Sequence, residues 1–233
     1  MRVACAQAGA EVVPVSRRLG LVVVAFVLAP GFALAAAGDP QYKPVPRDLR
    51  WAKAGVLHQA DVPPVFRPDS RRYANVMLPR CPGYYTPDRS RVTGTGSADR
   101  FFRAGNAGIG STVSLFVREL DTEAWWRAVV TDRYITCLAR QLAAHPGHGF
   151  TAKVVTARRV RMRLNFAQPS AEFQTIIRYS KGGRSQDAMW VAVFFKYSRA
   201  IAVVSDTNVV HPCGCAERLA QRVFARLARS DPH

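Results

Sequence analysis

Short turns near the end of the chain limit how its predicted strands can pair. Ser180-Lys181-Gly182-Gly183 separates the strand-like segments Ala171–Tyr179 and Ala188–Lys196. Ser198-Arg199 then separates the second of these from Ala200–Ser205. Antiparallel strands can be joined by a two-residue hairpin, whereas parallel strands need a crossover of about a dozen residues or more. The spacing therefore predicts an antiparallel sheet and disfavours a parallel α/β fold.

Hydrophobic periodicity predicts the remaining elements. The further predicted strands are Thr93–Phe102, Ser111–Val117 and Lys153–Arg163. A first helix is predicted at Arg47–Gln59, and a long central helix is capped by Asp121 and has an inward face from Ala124 to Leu142. A C-terminal helix has Leu219, Val223, Phe224 and Leu227 on its apolar side. The arginines on the other side of the last helix, Arg218, Arg222, Arg226 and Arg229, are expected to be solvated. The predicted fold class is α+β, with an antiparallel sheet of about five to six strands packed against the long central helix and the C-terminal helix.

The N-terminus has the features of an export signal. Arg17-Arg18 precede the apolar run Leu19–Leu28, which is followed by Pro30 and the small residues of Ala33–Ala37. Signal peptidase accepts small side chains at its cleavage site, so we expect cleavage after Ala35 or Ala37. The predicted domains are a signal peptide at 1–37, an extended leader at 38–46 and one α+β envelope-facing domain at 47–233. The alternative is an uncleaved N-terminal segment that anchors the protein in the membrane.

The charge is strongly positive but carries no nucleic-acid motif. Removing residues 1–37 lowers the net charge from +17 to +15 over 196 residues, and most of the excess is arginine. Basic residues occur in every segment, and no dense Lys/Arg run is interleaved with aromatics, so nucleic-acid binding is not predicted. The charge is expected to keep an exported protein soluble. Attraction to an anionic polymer of the cell envelope is the alternative.

Four cysteines remain after cleavage of the signal, namely Cys81, Cys137, Cys213 and Cys215. An even number in an oxidising compartment predicts two disulfides, for which three connectivities exist. A Cys213–Cys215 bond would close a very tight ring, which disulfide geometry disfavours, so longer-range pairs are expected.

The segment His211-Pro212-Cys213-Gly214-Cys215 at the start of the last helix is the densest cluster of reactive side chains. A helix N-terminus lowers the pKa of a thiol, so Cys213 and Cys215 could exchange disulfides. His211 and the two sulfurs could instead begin a soft-metal site, helped by His145 or His148. Neither a Cys-x-x-Cys redox motif nor paired zinc-ligand spacing is present. Structural disulfides are therefore the leading interpretation.

Other motifs favour structural roles over catalysis. The glycines of Gly94–Gly96 and Gly105–Gly110 precede a predicted strand, whereas phosphate-binding loops precede a helix, so these glycines are expected to form turns. Glu119, Asp121 and Glu123 surround a predicted helix start and are expected to cap it. The aromatic pairs Trp125-Trp126 and Met189-Trp190 are expected to pack in the core. We therefore predict no catalytic residue, no metal site and no cofactor.

Several short segments resemble a known group of proteins. They are Ala60-Asp61-Val62-Pro63-Pro64-Val65-Phe66, Cys81-Pro82-Gly83, the strand Ser111–Val117, Cys137-Leu138-Ala139 and the arginine-rich last helix. In their order they resemble secreted and lipid-anchored actinobacterial proteins, and the extracellular sensor domains of mycobacterial serine/threonine kinases. Val65 departs from this pattern, in which a glycine is common. The resemblance implies an envelope-facing, non-catalytic domain in which Cys81 pairs with Cys137.

These observations predict a secreted, non-enzymatic protein that binds or senses an unidentified ligand or partner at the cell envelope, with no stable membrane span after cleavage. Two alternatives remain. One is a thiol-disulfide exchange protein that uses Cys213 and Cys215, and the other is an electrostatic binder of an anionic envelope polymer.

Overall fold

The computed structural model describes residues 41–69, 92–144, 146, 149–162, 166, 168–208 and 215–232, so the predicted signal peptide lies outside the described residues. The elements in chain order are β1 (Gln41–Tyr42), α1 (Pro46–Gly55), a 3-10 turn (Gln59–Asp61), β2 (Arg67–Pro68), β3 (Thr93–Ala104), β4 (Ala107–Phe116), α2 (Glu119–Val129), α3 (Asp132–Ala144), β5 (Thr151–Val160), β6 (Ser170–Lys181), β7 (Arg184–Tyr197), β8 (Ala200–Asn208) and α4 (Ala216–Arg229).

The described strands form one sheet, in the order β1-β3-β4-β8-β7-β6-β5, with β2 paired to β3. All pairs are antiparallel except β1 with β3, which confirms the α+β class. The strand count of eight exceeds the predicted five to six. The two unpredicted strands, β1 and β2, have two residues each and lie in proline-rich segments without alternation. Residues 41–42 of the predicted leader therefore belong to the sheet.

Helices cover both faces of the sheet. Val193 and Phe195 of β7 contribute to a core shared with α1 and α4, whereas Ala192 and Phe194 contribute to a core shared with α2 and α3. Successive side chains of a strand point to opposite faces, so one central strand supplies both cores. This two-sided burial explains why the run Val191–Phe195 is apolar without alternation.

The predicted long central helix is two helices. α2 begins at Glu119 with Arg118 at its N-cap, so the prediction that Asp121 caps the helix is wrong. α2 ends at Val129, and α3 begins at Asp132. The Thr131 hydroxyl accepts a hydrogen bond from the Tyr134 amide over 3.2 Å. This bond is typical of an N-cap, so Thr131 is the N-cap of α3. Because an N-cap residue does not have helical backbone geometry, the helix is interrupted at residues 130–131.

A buried ion pair fastens α1 to the sheet. The Asp48 side chain is 5% exposed and accepts two hydrogen bonds from Arg199, each of 3.1 Å. Thr95 of β3 donates a third hydrogen bond to Asp48, and Arg199 also donates to the Phe116 carbonyl over 2.6 Å. Burial opposes ionisation of Asp48, but the hydrogen bonds and charges of its partners outweigh burial and hold its pKa below the ordinary value.

A second carboxylate fastens α4 to the 3-10 turn. Asp61 accepts hydrogen bonds from Arg226 at 3.1 and 2.6 Å and from the His58 amide at 2.7 Å. Arg222 lies 3.7 Å from the same carboxylate. The expectation that the arginines of the last helix are solvated is therefore wrong for Arg226, whose side chain is 18% exposed. Burial opposes ionisation of Asp61, but Arg226, the His58 amide and Arg222 together lower its pKa.

We expect the stability of the fold to decrease in acid through Asp61. Its pKa is lower in the folded chain than the ordinary value of 3.8, so its contribution is present above pH 4 and is lost as pH falls through the folded pKa. Urea unfolding between pH 7 and pH 2.5 should show a weaker dependence of the unfolding free energy on pH for Asp61→Asn than for the native chain. Parallel curves for the two proteins would contradict this assignment.

Candidate functional site at a basic sheet edge

β5 is the last strand of the sheet on its side, in the part of the chain that the structure describes. It pairs with β6, and α3 packs across both strands. Tyr134 and Ile135 near the start of α3 share a hydrophobic cluster with Ala157 in the second half of β5. The start of α3 therefore lies near the last residues of β5.

The edge formed by α3 and β5 has an unusual charge composition. Residues 133–171 contain no aspartate or glutamate over 39 positions. Six described cations of this stretch are exposed. We call five of them the basic edge: Arg133 of α3, Lys153, Arg158 and Arg159 of β5, and Arg161 just beyond it. The sixth, Arg140, lies further along α3. Basic residues occur throughout the described chain, as the sequence indicates, but this side of the sheet combines five of them with a segment that lacks acidic residues.

Several cations elsewhere in the fold are neutralised by nearby carboxylates. Such pairs include Arg103–Asp69 at 3.5 Å, Arg118–Asp121 at 2.7 Å, Arg127–Glu123 at 3.1 Å, Arg178–Asp187 at 2.7 Å and Arg226–Asp61 at 2.6 Å. Among the described residues, no carboxylate lies within ion-pairing distance of a member of the basic edge. Within the described part of the chain, no ion pair therefore neutralises a member of the basic edge.

A pocket of about 300 Å³ lies at the end of the basic edge, where β5 leads towards β6. Arg159 and Arg161 line it together with Met162 and Phe166. Arg159 donates a hydrogen bond to the Ser170 carbonyl over 3.4 Å, which orients its guanidinium. The Phe166 ring stacks on Phe195 at 5.8 Å between centroids and so joins the core. Guanidinium groups beside apolar side chains can bind an anionic group that carries an apolar portion.

The structure separates two of the predicted disulfide cysteines. Cys137 is buried on α3, and Cys215 is buried at the N-cap of α4. These helices pack on opposite faces of the sheet, as the two cores show. A disulfide requires Cα atoms within about 7 Å, so Cys137 and Cys215 are not placed to pair with each other. Cys81 and Cys213 lie outside the described residues, as does His211, so the disulfide map and the exchange hypothesis stay predictions.

The other candidate residues form contacts that stabilise the fold. Asp121 pairs with Arg118, Glu123 contacts Lys196 and Arg127, and Glu119 accepts a hydrogen bond from Ser198 over 3.2 Å. α2 is thereby fastened to the β7–β8 turn. Within the described ranges, no group of three or more potential metal-binding side chains is found, and no helix is both long and apolar enough to cross a membrane.

The predicted structural roles of the glycines and aromatics are also seen. Gly105 has a φ of +57° and lies in the turn between β3 and β4, as expected for glycine. Trp125 packs beside Phe116 with 6.2 Å between ring centroids. Gly94 and Gly96, in contrast, lie within β3 and do not form a turn.

Comparison with known proteins adds little to these observations. No protein-family model matches the chain, and no curated protein matches it. Among solved structures, one similar chain is PA94 from Pseudomonas aeruginosa, a protein of unknown function and candidate regulator. It is 14% identical with a TM-score of 0.23, and the alignment covers 70% of this chain and 94% of PA94. This likeness is too weak to support a functional argument.

Sequence reasoning missed the basic edge, although one feature could have revealed it. The absence of acidic residues from 133–171 is visible in the sequence once charges are counted by sign and position. What the sequence does not show is that α3 and β5 lie side by side at the edge of the sheet. Only that placement shows that the cations of this segment form one continuous surface.

Proposed function

We propose that this protein is an exported, non-catalytic α+β domain that binds an anionic polymer or an acidic partner of the cell envelope through its basic edge. The observation that carries the proposal is a group of five exposed cations in a segment, 133–171, that contains no acidic residue. Among the described residues no carboxylate pairs with them, whereas several arginines elsewhere are paired. The export signal in the sequence supports the location.

The energetics of such a surface favour a polyanion. Each exposed cation attracts an anion only weakly in water at physiological salt, because the Debye length is about 8 Å. Several cations aligned along one strand and one helix act together on a polymer that carries repeated negative charges. Binding of this kind releases counterions and weakens steeply as salt is added.

Removing charges from the basic edge is expected to abolish most of this binding. We expect the triple variant K153Q/R158Q/R159Q to bind polyphosphate and poly-L-glutamate at least tenfold more weakly at 50 mM salt. The slope of log affinity against log salt should fall by roughly 2, since about 0.7–0.9 is lost for each anion contact removed. Fluorescence anisotropy of labelled polymers at several salt concentrations measures both quantities.

The matched control is R118Q/R127Q/R229Q, which removes the same number of charges. Arg118 and Arg127 are 60% and 77% exposed and are paired to carboxylates, and Arg229 is exposed at the end of α4. The control should bind both polymers nearly as well as the native chain. Equal losses in the two variants would show that only net charge matters and would contradict the assigned surface. A full-length natural product found inside the cell with Met1 still attached would contradict export.

A further inference from the structure

β5 offers backbone hydrogen-bonding groups as well as charge. Within the described part of the chain it has one strand neighbour, β6. The N–H and C=O groups on the outer side of an edge strand can therefore pair with another chain. A bulge at Val155 interrupts the pairing with β6 and leaves this side chain 45% exposed. The regular stretch beyond the bulge, Thr156–Val160, contains Arg158 and Arg159.

The charge of the basic edge identifies which chain can pair there. A second copy of β5 would place Arg158 and Arg159 beside the same residues of its partner, and like charges directly opposite one another destabilise a strand pair. An acidic strand would instead place carboxylates beside these arginines. Side chains of β5 alternate between the two sheet faces, with Arg159 opposite Phe173 and Arg158 opposite Gln174 of β6. An incoming strand would therefore meet a cation on each face.

We propose that an extended acidic polypeptide segment binds along Thr156–Val160 and adds a strand to the sheet outside β5. This inference rests on the proposed function and specifies its ligand. A polypeptide fits better than a phosphate polymer, because the outer edge of β5 presents donors and acceptors together. A phosphodiester chain supplies acceptors only, whereas a peptide backbone supplies both kinds of group.

The experiment compares two labelled peptides of equal charge. One is a ten-residue peptide in which glutamate and threonine alternate, and the other has the same sequence with every backbone nitrogen methylated. N-methylation removes the backbone donors and leaves the carboxylates, so we expect the methylated peptide to bind the full mature chain at least tenfold more weakly. Hydrogen exchange in the presence of the unmethylated peptide should slow at amides within 156–160 and remain unchanged in α4.

The outcomes separate this inference from the proposed function. Equal affinities for the two peptides would overturn strand addition and leave electrostatic binding by the basic edge intact. Tighter binding of polyphosphate than of the unmethylated peptide, compared per charge, would likewise overturn the preference for polypeptide. If K153Q/R158Q/R159Q binds the peptide as well as the native chain does, both proposals fail. Self-association of the mature chain through 156–160, seen by sedimentation with protection of those amides, would show that a second copy occupies the edge and would overturn the acidic partner.

Discussion

Asp48→Ala is expected to lower the free energy of unfolding by about 3 kcal/mol, the lower end of the range for buried ion pairs, because the Arg199 side chain is 29% exposed. The substitution leaves the guanidinium of Arg199 beside Trp51, 5.8 Å from the ring centroid, without its carboxylate. It also removes the acceptor for the Thr95 hydroxyl on β3. Breaking a buried pair by deleting one member is costly because the remaining charge keeps its desolvation penalty and loses its attraction. Urea unfolding at pH 7 measures the loss.

Two further variants test whether the loss comes from the unpaired charge. The double variant Asp48→Ala/Arg199→Met should be more stable than Asp48→Ala alone, since it removes the unpaired charge as well. Asp187→Ala breaks the exposed pair between Asp187 and Arg178, whose side chains are 42% and 43% exposed, and should cost far less than Asp48→Ala. Equal losses for Asp48→Ala and Asp187→Ala would contradict the role assigned to the buried pair.

The sequence predicted the local elements of this fold better than its long-range contacts. The hairpin turns at Gly182-Gly183 and at Ser198-Arg199 were predicted correctly, because glycine and a short polar pair mark turns directly. Asp48 and Arg199 were not connected, since 151 positions separate them and neither belongs to a motif. A carboxylate in the first turn of a helix predicts a favourable interaction with the helix dipole, and here the same residue also forms an ion pair across the fold.

The division between α2 and α3 shows a second limit of periodicity. The apolar spacing continues through residues 129–131, so the pattern predicts one helix. Val129, Val130 and Thr131 are all β-branched, however, and such residues lose side-chain freedom in helices. Thr131 followed by Asp132 also has the composition of a new helix start. These local features favour the break between the two helices, which the apolar period alone does not reveal.

The basic edge is partly predictable from the sequence and partly dependent on the fold. Its composition is readable from the sequence, because 133–171 lacks carboxylates, but its geometry depends on β5 being last in the strand order. Strand order is set by packing over the whole sheet rather than by residues within β5. The sequence can therefore indicate an anion-binding segment, and the fold is needed to show that this segment borders solvent along its backbone.

The segment Gly94-Thr95-Gly96 forms a bulge in β3, where the sequence had suggested a turn. Gly94 pairs with Phe116 and Gly96 with Leu115, so Thr95 is the additional residue. A bulge re-aims the side chain that it carries, and Thr95 donates its hydroxyl hydrogen bond to Asp48. Gly96 lies against the backbone of α1, where a Cβ would come within 2.7 Å of the Asp48 carbonyl carbon. The glycine is therefore required by the close approach of helix and strand.

Gly96→Ala is expected to destabilise the fold by about 3 kcal/mol, because the atoms that the new Cβ would meet belong to backbone and cannot rotate away. Relief of the contact would require α1 to move from β3, which would lengthen the hydrogen bonds between Asp48 and Arg199. The matched control is Gly108→Ala on β4, where the atom nearest to an added Cβ is the Phe102 carbonyl oxygen at 3.9 Å. Thermal and urea unfolding should show a large loss for the first variant and a change below about 1 kcal/mol for the second. Equal stability of the two variants would mean that α1 does not approach β3 as closely as this geometry requires, and the buried position of Asp48 would then lose its structural basis.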